Sequence, residues 1–97
     1  MYAVIRSYEG GGSSALIDLI EQRRDEVEGL LRGVTGFVGY TVIRTEKGGT
    51  TITVCDDKVG TDESAQVARD WVVEHAAAMG VPPPKVTEGD VPLHVAP

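Results

Sequence analysis

The order of the secondary-structure signals constrains this chain most, because two strand-like segments lie side by side at its centre. Phe37–Thr45 is rich in β-branched and aromatic residues, and Thr50–Cys55 alternates threonine and cysteine with isoleucine and valine. Two glycines lie in the short segment between them, which is typical of a hairpin turn. The sequence therefore predicts a central antiparallel hairpin.

One helical segment lies on each side of this hairpin. Apolar residues recur at helical spacing over Ala15–Arg32, and Gly33 supplies a stop. A second helix is predicted over Asp62–Met79, followed by Gly80 and three prolines.

Two further strands complete the pattern. The first is Tyr2–Tyr8, and the last is a broken strand comprising Val86–Thr87 and Val91–Val95, where Pro92 predicts a position at the sheet edge. The order β-α-β-β-α-β predicts a ferredoxin-like α+β fold with a four-stranded antiparallel sheet, and residues 1–97 are expected to form a single domain.

Right-handed connections place both helices on one face of such a sheet and leave the other face uncovered. The alternating valine, isoleucine and tyrosine side chains need a partner there, so we expect a homodimer that pairs through the sheet face.

The charge balance excludes some partners. With 15 acidic and 9 basic residues the net charge is −6, which disfavours nucleic acid and anionic membranes. No signal peptide or apolar stretch of membrane-spanning length is evident, so a cytoplasmic protein is expected. The lone Cys55 cannot form an internal disulfide, and with two histidines it makes a poor metal set, so no metal site is predicted.

The second helix carries the candidate catalytic residue. Trp71 and His75 lie one turn apart on its apolar face. His75 could act as a general base at neutral pH or could be a histidine at the core edge. Trp71 could stack on a planar aromatic ligand or could simply fill the core.

Two arginines fall at positions expected to be apolar. Arg23 lies between Ile20 and Val27 in the first helix, and Arg6 lies in the first strand. Either could hold an anionic oxygen of a substrate. Alternatively, the aliphatic stem of Arg23 could cover apolar surface while its guanidinium reaches water or a carboxylate. Arg6 could instead form a salt bridge between subunits.

Four segments, Gly36–Arg44, Lys47–Gly49, Thr51–Cys55 and the helix with Trp71, resemble the dimeric α/β-barrel superfamily in its antibiotic-biosynthesis-monooxygenase-like branch. The resemblance implies a dimer whose two sheets form a barrel with the helices outside. Some members oxidise polyketide-like aromatic substrates without a cofactor and use Asn, Trp, Tyr and Arg around the substrate. Tyr40 is the candidate tyrosine.

Haem-degrading members of that branch use an asparagine on the first strand, with a tryptophan and a histidine on the second helix. This chain contains no asparagine, and His75 follows Trp71 more closely than in that pattern. The pattern disfavours haem degradation, and no cofactor is predicted.

Two functions remain open. One is a cofactor-independent monooxygenase-like enzyme acting on a small aromatic or polyketide-like compound. The other is a non-catalytic dimer that binds a small ligand or assembles with a partner.

Overall fold

A computed structural model describes all 97 residues, and the predicted strands and helices are present with shifted ends. The four strands form one antiparallel sheet in the order β2-β3-β1-β4, which confirms the ferredoxin-like α+β fold. In chain order the elements are β1 (Tyr2–Glu9), α1 (Ser13–Gln22), α2 (Arg24–Arg32), β2 (Phe37–Thr45), β3 (Gly48–Cys55), α3 (Lys58–Ala76) and β4 (Lys85–Asp90).

The first helix is not the single element predicted over Ala15–Arg32. The chain breaks at Arg23, whose φ of −108° and ψ of 31° are not helical. Acidic residues, Asp25 and Glu26, occupy the first turn of α2 and complement the positive end of its dipole. The sequence at the break therefore serves as a new helix start.

The third helix begins four residues earlier than predicted. Asp57 caps it, and its carboxylate accepts hydrogen bonds from the amides of Val59 and Gly60 at 3.1 and 3.4 Å. Gly60 lies in the first turn because a side chain there would collide with the Thr35 carbonyl. Gly60 lies outside the helix predicted from the sequence, but in the structure it allows α3 to pack closely against the Thr35 carbonyl.

The last strand differs from the prediction in its second half. β4 pairs with β1 over Lys85–Asp90, at the sheet edge as expected. Pro92 lies beyond the strand, and the predicted Val91–Val95 segment forms no strand. Pairing ends there because Asp90 lies opposite Tyr2, the first residue of β1, and only the Val91 amide still donates, to the Met1 carbonyl at 3.0 Å.

The helices pack on one face of the sheet, as the connections predict. The core cluster joins Tyr8 of β1 to Leu16 of α1 and to Trp71 and Ala76 of α3. Side chains alternate along β1 and β3, so the buried set faces the helices: Val4, Arg6, Tyr8, Thr51, Thr53 and Cys55. No helix of the chain is long and apolar enough to cross a membrane.

Candidate functional site

A wide groove lies between the α1 and α2 helices and strand β2. Its volume is about 720 Å³, within the range of small-molecule sites. Its floor is largely apolar and includes Phe37, Val42 and Tyr40, whereas arginines and glutamates line its rim. Arg44 closes one end of this rim, since it donates to Asp18 at 2.5 Å and to Glu21 at 2.7 Å.

A second, much smaller cavity lies deeper in the protein, between the sheet and α3. Its volume is about 40 Å³, enough for one functional group or a water molecule. It shares four wall residues with the groove: Ile20, Val27, Leu31 and Tyr40. We call this space the inner cavity; the shared residues place it directly beside the groove.

Arg6 lies on the wall of the inner cavity and not on the protein surface. The residue is only 5% exposed, and its Nη2 atom has no hydrogen-bond partner. Strand β1 places it there because Val4, Arg6 and Tyr8 alternate onto the helix-covered face.

Trp71 lies on the same wall and is 6% exposed. Its Nε1–H also lacks a partner, as does the hydroxyl of Thr53. Thr53 was not singled out from the sequence, although the alternation in β3 puts it on the inner face with Thr51. The inner cavity thus gathers three buried polar groups without partners.

His75 lines neither the groove nor the inner cavity. Its ring lies 4.9 Å from the Trp71 ring, centroid to centroid, and its Nε2 lies 3.4 Å from a Glu26 carboxylate oxygen. The side chain is 17% exposed. The predicted pairing of these two rings on one helix face is present, with His75 linking α3 to α2.

Arg23 is not brought into the site. Its side chain is 48% exposed and forms an ion pair with Glu26 at 3.2 Å, so its guanidinium reaches a carboxylate at the surface. The groove instead contains Arg24, Arg32 and Arg44, which sequence reasoning did not select.

Tyr40 lines both the groove and the inner cavity. Burial, together with a smaller effect of the neighbouring Tyr8, raises its pKa to about 12, while Arg6 and a hydrogen bond with Thr51 act in the opposite direction. Burial also raises the pKa of Tyr8. Both phenols therefore stay protonated at neutral pH, so each can donate one hydrogen bond and accept others but cannot act as an anionic base.

No protein-family profile matches the sequence, and no curated protein matches it. Solved structures with the same fold do exist. The haem degrader MhuD from Mycobacterium tuberculosis is 16% identical with a TM-score of 0.69, over 99% of this chain and 100% of that chain. The NE2512 protein of unknown function from Nitrosomonas europaea is 13% identical with a TM-score of 0.71, over 99% of this chain and 92% of that one.

A third structure is the monooxygenase from the ActVA-Orf6 gene of Streptomyces coelicolor, in complex with nanaomycin D. It is 19% identical with a TM-score of 0.58, over 99% of this chain and 90% of that chain. The chain has the fold of these proteins. The subunit fold that the resemblance to the antibiotic-biosynthesis-monooxygenase-like branch implies is thereby confirmed.

Proposed function

We propose that this chain binds a small aromatic or polyketide-like compound in the groove and oxidises it with molecular oxygen, without a cofactor. The observation that carries the proposal is the groove itself, which has the volume of a drug-sized ligand, several apolar lining residues and, beside it, a small apolar cavity with buried polar donors on its wall. The ActVA-Orf6 monooxygenase, which has the same fold, binds the small molecule nanaomycin D. Fold alone does not give the reaction, so the proposal depends on the site.

Haem, which MhuD binds, does not fit this site. The inner cavity beside Trp71 is far too small for a macrocycle. No histidine, cysteine or methionine lines the groove to serve as an axial ligand, and the raised pKa of Tyr40 keeps it a neutral phenol. We therefore assign no haem chemistry to the chain.

The proposed reaction balances without an added reductant. An activated ring methylene loses a proton to give an enolate, whose carbon bonds to O₂ and forms a hydroperoxide after proton uptake. Loss of water then leaves a carbonyl, so one oxygen atom enters the product and the other leaves as water. The charge of Arg6 favours the enolate, and the Trp71 and Tyr40 donors can hydrogen-bond to its oxygen.

No side chain on the inner cavity is a base at neutral pH, because its lining contains no histidine, carboxylate or cysteine. This observation favours a second candidate, a non-catalytic ligand-binding domain. Under the enzyme proposal, the substrate binds already ionised, loses its proton to solvent, or loses it to a groove carboxylate, Glu21 or Glu28, each of which is paired with an arginine.

Oxygen uptake with a panel of phenols, naphthols and enolisable polycyclic ketones tests the proposal. We expect one O₂ consumed per substrate, and one ¹⁸O atom in the product when ¹⁸O₂ is supplied. Val42→Trp should obstruct the groove and lower turnover, whereas Val73→Trp on the exposed face of α3 should not. Binding without oxygen uptake would favour the non-catalytic domain, and neither binding nor uptake across the panel would refute the groove as a ligand site.

We also propose that two copies pair through the uncovered sheet face. Support comes from its central side chains, which are uncharged and largely apolar: Ala3, Ile5, Thr41, Ile43, Ile52 and Val54. Light scattering should give the mass of a dimer. Ile52→Lys should yield a monomer, while Val73→Lys should leave the mass unchanged; a monomeric wild-type chain would contradict the proposal.

A further inference from the structure

The guanidinium of Arg6 lacks a counter-ion inside the protein. The residue is 95% buried, its Nη2 atom has no hydrogen-bond partner, and no carboxylate lies within 4.0 Å of it. Arginine stays protonated in proteins, so this positive charge cannot be removed by a shift in protonation. A buried charge is costly unless it is paired, which makes an unpaired one a sign of a missing partner.

Neighbouring groups do not supply that partner. Asp62 and Glu88 lie across a separate space on the outer side of Arg6, where Lys58 binds them at 2.8 and 3.3 Å. Tyr8 and Tyr40 are nearer, and their raised pKa values keep them neutral. No carboxylate of the chain therefore forms a direct ion pair with this guanidinium.

Trp71 supplies a second unpaired donor, and the inner cavity that both residues line has a volume of about 40 Å³. Such a space holds a carboxylate or a single ionised oxygen with its nearest carbon. A water molecule could accept from both donors, yet it would leave the charge of Arg6 unbalanced. The geometry and the charge together select an anionic oxygen group.

We propose that the inner cavity is an anion subsite, in which Arg6 and Trp71 bind the carboxylate or enolate oxygen of a ligand whose ring lies in the groove. This inference rests on the proposed function for the position of the ring. It adds that the ligand is recognised in its ionised form, so that no protein base is needed on the cavity wall.

Calorimetric titration of the full chain with 2-naphthoate and 2-naphthamide at neutral pH tests the subsite, because the two probes share a ring and differ in charge. We expect 2-naphthoate to bind on the order of tenfold to a hundredfold more tightly, the range of a hydrogen bond to a charged group. Arg6→Met should remove this preference, and Trp71→Phe should reduce it because the ring stays but the donor is lost.

Arg69→Met is the matched control, since Arg69 is exposed and lines neither the groove nor the inner cavity. It should keep the full preference for 2-naphthoate. Equal affinity for both probes in the wild-type chain would overturn the anion subsite and leave the groove as a ligand site.

A second measurement separates the subsite from the groove. Sodium formate at matched ionic strength should raise the melting temperature of the wild-type chain more than that of Arg6→Met, because it binds only the folded state at the subsite. If neither naphthalene probe binds but formate acts through Arg6, the subsite stands and the groove proposal fails. An equal response of both proteins to formate would overturn the subsite.

Discussion

Removal of the buried charge at Arg6 should stabilise the ligand-free protein. Arg6→Met keeps an unbranched apolar stem and deletes a guanidinium that is 95% buried, with Nη2 unpaired. An unsatisfied buried polar group costs roughly 1–3 kcal/mol, and replacing buried ionic groups by apolar ones gains roughly 1–4 kcal/mol. We expect a gain of about 2 kcal/mol in the free energy of unfolding, which corresponds to roughly 8–16 °C in a domain of this size.

Urea denaturation at a fixed protein concentration measures this gain. Far-UV circular dichroism is the better probe, because the only tryptophan, Trp71, shares the cavity wall with Arg6 and its emission will change with the substitution. The slope of the transition should be unchanged, so that the shift in midpoint reports stability. Arg69→Met should stay within about 0.5 kcal/mol of the wild type, as surface substitutions usually do.

A loss of 1 kcal/mol or more in Arg6→Met, on the scale of a usual destabilising substitution, would refute the reasoning. It would mean that the guanidinium is already satisfied in the folded chain. The expected gain would mean that Arg6 lowers the stability of the ligand-free protein in exchange for ligand recognition. A bound anionic group would then supply the partner that the guanidinium lacks in the empty site.

Other substitutions test the packing and the site. Gly60→Ala should cost on the order of 2–4 kcal/mol in urea denaturation, because its new methyl would overlap the Thr35 carbonyl and approach the Cys55 Cβ at 2.8 Å. Gly29→Ala, in open space within α2, should instead raise the free energy of unfolding by about 0.5–1 kcal/mol. A decrease would contradict the assignment of Gly29 to the interior of a helix. Burial raises the pKa of the Cys55 thiol, so its alkylation at pH 8 should be far slower than that of unfolded chain; equal rates would show an accessible thiolate. His75→Leu should change the affinity for 2-naphthoate less than twofold in calorimetry, since His75 lines neither the groove nor the inner cavity. A tenfold loss of affinity would show that His75 contributes to ligand binding.

The fold was predictable because each strand and helix has a clear period. The alternation in Thr50–Cys55 and the helical spacing in α3 were sufficient for the element order, whereas the ends were not. Gly60 reads as a loop residue until its contact with Thr35 is known, and that contact joins residues distant in sequence. The break at Arg23 contains no glycine or proline, so local signals did not reveal it.

The site was predictable only in part. Trp71, Arg6 and Tyr40 meet at the inner cavity, while His75 lies behind Trp71 and Arg23 lies at the surface. Helical periodicity gives the face of a residue but not its depth in the packed protein. The lack of a counter-ion at Arg6 depends on every neighbouring element, so it emerges only from the tertiary structure.

Strand β2 has a further consequence for how this protein behaves in solution. It lies at one edge of the sheet, so half of its backbone amide and carbonyl groups have no strand to pair with. The bulge between Phe37 and Gly39 disrupts one end, and the charged Arg44 occupies the other, which leaves Tyr40–Ile43 as an uninterrupted template. These four residues are aromatic or β-branched and carry no charge, the composition that favours growth of intermolecular β-structure. A variant that removes the bulge or the charge of Arg44 should therefore form fibrils more readily than the wild-type chain, which would hinder any measurement of its activity.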